Sequence, residues 1–109
     1  MIGTRLYLLQ RLSALVMAPL VLGHLAVMIY AVQNGLSAGE ILERTRGSLW
    51  WGAFYGLFVA AVSVHAAIGL RVVTNETLKI PPAWLTPLMW AVGLMLALSG
   101  ARAVFAVVS

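Results

Sequence analysis

The stretch Phe58-Val-Ala-Ala-Val-Ser-Val-His65-Ala-Ala-Ile-Gly69-Leu-Arg71 decides how this chain is read. It is an apolar run of helical length with one histidine inside it and one arginine at its end. An ionisable side chain in hydrocarbon is costly and marks function by default. Gly69 follows His65 by one helical turn and so shares its face. A residue without Cβ at that place lets a flat group lie against the helix backbone. Arg71 adds a cation where a carboxylate could meet it. A candidate iron ligand, a bare patch and a cation for propionates point to b-type haem. The competing reading of His65 is a structural histidine, bonded to a backbone carbonyl or to a serine across a helix interface.

Outward from this run the whole chain is apolar. Of its 109 residues 62% are hydrophobic and 9% charged, with a mean hydropathy of +0.99. A soluble domain has roughly a quarter of its residues charged. Three segments reach the length of about 20 apolar residues that a membrane-spanning helix needs. They are expected near residues 12–33, 50–72 and 84–107. The first is too long for a secretory signal peptide and ends without a small-residue cleavage pattern. With no cysteine, disulfides, thiolate chemistry and iron–sulfur ligation are excluded within the chain. The net charge of +4 sits at helix ends, which reads as membrane orientation and not nucleic-acid binding. No aspartate or glutamate falls in the three segments, which argues against a proton- or cation-coupled transporter. The fold class is therefore an all-α membrane protein, one membrane-anchor domain over residues 1–109. Its three transmembrane helices would form part of a larger helical bundle, because three cannot wall in a large cofactor.

The connections carry their own signals. Residues 1–11, with Arg5, Tyr7 and Arg11, suggest an amphipathic entry turn at the membrane surface. Pro19 should kink the first helix, which neighbouring helices tolerate in a membrane. Ser37 followed by Glu40 is a capping box for a short interfacial helix over 38–46. Trp50 and Trp51 mark the next interface. Gly52, Gly56 and Ala60, and later Gly93, Ala97 and Ala101, form small-residue stripes suited to close helix packing. Thr74 to Pro82 reads as a short polar connection, and Thr86-Pro87 could cap or adjust the start of the third span. Arg5, Arg11, Arg71 and Lys79 fall on one side of the layout and Arg44, Arg46 and Arg102 on the other. This slight bias places the N-terminus in the cytoplasm, the location being a bacterial inner membrane.

Depth separates the two histidines. His65 precedes Arg71 by six residues, roughly 9 Å along a helix, and His24 follows Arg11 by thirteen, roughly 20 Å. They differ in depth by about 10 Å and make a poor pair for one iron. They fit better as single ligands of two stacked haems, each completed by a partner subunit's histidine. For His24 the alternative is an interhelical hydrogen bond. Ser63 is off the face of His65 and is no obvious partner for it. Arg11, beside Gln10, Ser13 and Tyr7, could bind a haem propionate. It could equally polarise a quinone carbonyl with Tyr7 or Ser13 as second donor, or simply snorkel to the interface.

Arg11-x-Ser13 opening helix one, His65-x-x-x-Gly69-x-Arg71 closing helix two and a third span after a short loop resemble the membrane-anchor subunits of succinate dehydrogenase and fumarate reductase. The resemblance implies a complex. A flavoprotein subunit with FAD oxidises succinate, an iron–sulfur subunit carries electrons, and two anchor subunits, or one fused anchor, hold haem b and the quinone site. It implies that His65 is an axial haem ligand and that Arg11 lies at the quinone–propionate region. A serine found in one such anchor four residues before the arginine is replaced here by Tyr7. The other anchor has a tyrosine and an acidic residue in the loop after helix two, and this chain departs from it with Glu76-Thr77 near that place. A first-helix histidine such as His24 suggests the two-haem branch. The expected function is a haem b-binding anchor passing electrons between the iron–sulfur subunit and membrane quinone, with the succinate chemistry in another chain. The alternatives are a b-type cytochrome subunit of another respiratory dehydrogenase and a haem-free structural anchor.

Overall fold

Helix α1 runs Thr4–Asn34, a short α2 Ala38–Thr45, α3 Leu49–Leu78 and α4 Pro82–Val108 in a computed structural model that describes residues 3–109. Among the described residues there is no strand. Helices α1, α3 and α4 are each long and apolar enough to cross a membrane. The chain is an integral membrane protein. Its long axis of 48 Å exceeds the hydrocarbon core of about 30 Å, so the helix ends stand in the headgroup layers.

The helices outrun the apolar segments that announce them. The expected entry turn is the first two turns of α1 itself, with Met1 and Ile2 outside the described residues. The polar connection after residue 73 is helical as far as Leu78. Hydropathy marks the hydrocarbon, whereas backbone hydrogen bonding continues through Gln10, Arg11 and Asn75 into the polar layer. What stops α3 is Lys79, in the left-handed conformation with φ 58°, whose N–H donates to the Asn75 carbonyl. The Asn75 side chain donates to the Ile80 carbonyl. Pro82 then opens α4, where a missing N–H costs nothing. Pro19 and Pro87 lie inside α1 and α4 without ending them.

The capping box forms. The Ser37 hydroxyl accepts the Glu40 N–H, and the Glu40 carboxylate accepts the Ser37 N–H and hydroxyl at 3.2 and 2.7 Å. These two donors, the hydroxyl first, hold the Glu40 carboxyl below the ordinary carboxylate range. Helix α2 then folds back onto the end of α4. Thr45 Oγ1 donates to the Val107 carbonyl, the Gly47 N–H to that of Val108 and Arg46 Nε to that of Ser109. These are carbonyls that a helix C-terminus leaves without intrahelical partners.

Helix α3 is the central element, packed against both α1 and α4. Both pairs are antiparallel. On the α1 side Ser13 meets His65, Gly69 faces Gln10 and Gly23 faces Phe54. On the α4 side Ala67 faces Gly93, Val59 faces Gly100 and Arg71 bonds Thr86. The small-residue stripes are used only in part. Gly93 and Gly100 are the close approaches of α4, while Ala101 is exposed. A step of seven stays on a helix face better than a step of eight at about 3.6 residues per turn. Gly52 approaches Val108 at 4.0 Å, and Gly56 has no neighbour within 4 Å among the described residues.

Candidate functional site

The side chains buried between these helices are few, and three are polar: Ser13, Ser63 and Thr45. A hydroxyl withdrawn from both lipid and water needs a partner. Ser13 has two. Its Oγ donates to the Gln10 carbonyl at 2.9 Å and lies 3.3 Å from His65 Nδ1. The serine that meets His65 therefore comes from α1, 52 residues away in sequence, and not from neighbouring Ser63. His65 is half-buried against α1. One turn on, a Cβ added to Gly69 would lie 3.3 Å from Gln10 Nε2, so the Gly69 face receives the Gln10 amide. Gln10 Oε1 is buried with no hydrogen-bond partner among the described residues.

The antiparallel register brings Tyr7, Arg11 and Arg71 to the same end of the bundle. The Arg11 guanidinium stands 5.7 Å over the Tyr7 ring, and both side chains are exposed. Arg71 Nη1 donates to Thr86 Oγ1 at 2.7 Å, a tether from α3 to α4. Thr86, noted in the sequence only as a helix-start residue, thus belongs to the site's surroundings.

His24 lies elsewhere. Its ring meets Phe58 edge-on at 4.9 Å between centroids and Tyr55 at 6.2 Å. Together with Thr45, Gly100 and Val104 these side chains line an open groove of about 360 Å³. Counted along either α1 or α3, the levels of His24 and His65 differ by about 10 to 16 Å. The structure keeps the two histidines apart. Nothing in the sequence between residues 50 and 60 signals the aromatic contacts of His24, since they depend on the same long-range register as Ser13–His65.

A model of the succinate dehydrogenase/fumarate reductase transmembrane subunit family matches residues 1–101. The chain belongs to that family. No curated protein and no solved structure matches it. As a transmembrane subunit of the succinate dehydrogenase/fumarate reductase complex it works with the complex's other subunits. Its matched region takes in α1, α2, α3 and most of α4, and so Ser13, His24, His65, Gly69, Arg71 and Thr86.

Among the described residues no three or more His, Cys, Asp and Glu side chains converge. A haem iron needs from the protein only axial ligands. Ser13 Oγ lies 3.3 Å from His65 Nδ1, and among the described residues His65 Nε2 has no hydrogen-bond partner.

Proposed function

We propose that this subunit is a haem b-binding anchor of a succinate:quinone oxidoreductase, passing electrons between the iron–sulfur subunit and membrane quinone. The observation that carries the reading is His65. It is a histidine inside an apolar membrane-spanning helix, with Ser13 Oγ 3.3 Å from its Nδ1. Haem held by His65 would supply a one-electron redox centre inside the membrane. Gly69 leaves room for the Gln10 amide beside that ligand. Arg71 and Arg11 offset propionate charge at the end of the bundle they share. Arg11 and Tyr7, both exposed, are the pair to polarise a quinone carbonyl, with Ser13 deeper on the same helix. FAD, iron–sulfur clusters and succinate oxidation belong to the partner chains. The N-terminus is cytoplasmic in a bacterial inner membrane, the side of the greater Lys/Arg count.

In a two-haem reading the groove at His24 would take the second haem, with His24 as its ligand. A one-haem reading is favoured by a different observation, the edge-on seating of His24 against Phe58 and Tyr55, which gives the ring a packing role. Haem quantified per chain in the intact complex, for wild type and His24→Ala, tests both. A halved b-type signal supports two haems, and an unchanged signal leaves His24 as packing. Copurification of a covalent flavoprotein and succinate-dependent haem reduction separate this complex from another respiratory dehydrogenase.

A further inference from the structure

The contact between Ser13 and His65 carries more than position, because a hydroxyl has one proton to donate. The Ser13 proton goes to the Gln10 carbonyl at 2.9 Å, and the longer contact, 3.3 Å, is the one to His65 Nδ1. Serine bonding back to the preceding helical turn is a recurrent local pattern. With that proton committed, Ser13 Oγ meets the imidazole with a lone pair and can only accept from it. Nδ1 must then be the protonated nitrogen of the neutral ring, and Nε2 carries the free lone pair. The reverse tautomer would place two lone pairs face to face at Nδ1 or take the hydroxyl away from Gln10. It would also leave Nε2 with a proton and nothing to give a metal. Ser13 itself is buried between the helices.

We propose that Ser13 is a positioning residue that holds His65 in the Nδ1–H tautomer, so that the Nε2 lone pair is the one offered to an axial metal. The chain Gln10 carbonyl, Ser13 hydroxyl, His65 Nδ1–H is a second-partner arrangement of the kind that orients metal-bound histidines and raises their basicity. It gives Ser13 a duty toward His65. The proposal rests on the haem reading only in its last step. The tautomer itself is a property of the polypeptide.

The test uses the full chain, ¹⁵N-labelled at its two histidines and reconstituted in lipid without haem. The His65 signals are assigned by their loss in His65→Gln. The expected result is a protonated Nδ1 and an unprotonated Nε2 in wild type, the same in Ser13→Thr, and a proton moved toward Nε2 in Ser13→Ala. In the intact complex, Ser13→Ala should weaken haem retention about 10- to 100-fold, the usual cost of removing such a partner. It should also raise the haem midpoint potential, since a less basic ligand favours ferric iron less. Ser13→Thr should restore both. A wild-type His65 protonated at Nε2, or a tautomer indifferent to Ser13→Ala, overturns the proposal even if haem is bound. A locked Nδ1–H tautomer in a chain whose complex holds no haem upholds the lock and defeats the haem reading instead.

Discussion

Replacing Gly100 by alanine should separate α3 from α4, whereas the same change at Gly56 should not. A Cβ at Gly100 would collide with Val59 Cγ1 and stand 2.8 Å from Cγ2 and 3.2 Å from Cβ. Val59 is β-branched and on a helix has essentially one rotamer, so it cannot turn aside. Carbon–carbon contacts settle at about 3.5–4.0 Å, so the helices must part by roughly 1 Å. Overpacking of this kind costs about 1–3 kcal/mol. The gain in helix propensity from glycine to alanine returns about 1 kcal/mol of it. Gly56, with no neighbour within 4 Å among the described residues, receives the gain without the clash. The two variants should therefore differ by about 1–3 kcal/mol, and each 1.4 kcal/mol is a factor of ten in the folding constant. Reversible unfolding in mixed micelles, followed by tryptophan fluorescence, measures the difference. Equal stability of Gly100→Ala and Gly56→Ala would refute the α3–α4 register on which the site's placement depends.

Thr45→Val keeps the shape of the α2–α4 junction but strips the Val107 carbonyl of its side-chain donor. It should cost about 1–3 kcal/mol and show as faster proteolysis between residues 35 and 47. Glu40 contributes to α2 through a lowered pKa, so that contribution is complete above the ordinary carboxylate pKa and lost as pH falls through the lowered value. Amide exchange in α2 should accelerate over that acid range in wild type and lose this pH dependence in Glu40→Gln. Arg71→Gln should lower the haem midpoint potential, because removing a cation favours the ferric state, and should free Thr86. No potential shift in a variant that retains haem would remove Arg71 from the propionate region.

Legibility in the sequence followed the range of the interactions. Three runs of hydropathy announced three spans, and Ser37 with Glu40 announced α2, because apolar length and a capping box are local. Helix ends were less legible, since α1 and α3 continue through Tyr7, Gln10 and Asn75 where hydropathy has already fallen. The α4 stripe was read at steps of four from Gly93 and so fell on Ala101, one residue past the actual approach at Gly100. His65, Gly69 and Arg71 stood out as a cluster within one helix. Their partners Ser13, Gln10 and Thr86 come from other helices, and only the antiparallel registers of α1 and α4 against α3 bring them near. The same register explains why the two histidines, alike in sequence, have unlike surroundings: a serine for His65 and aromatic edges for His24.

The central claim is that His65 holds haem iron. Its most direct test is the dithionite-reduced minus oxidised spectrum of the purified intact complex, with haem quantified per chain, for wild type and for His65→Ala. A b-type signal in the wild type that is abolished or converted to a loosely held, altered form by His65→Ala is the predicted result. An undiminished, unaltered b-type signal in His65→Ala, or a wild-type complex with all its subunits and no haem, would contradict it.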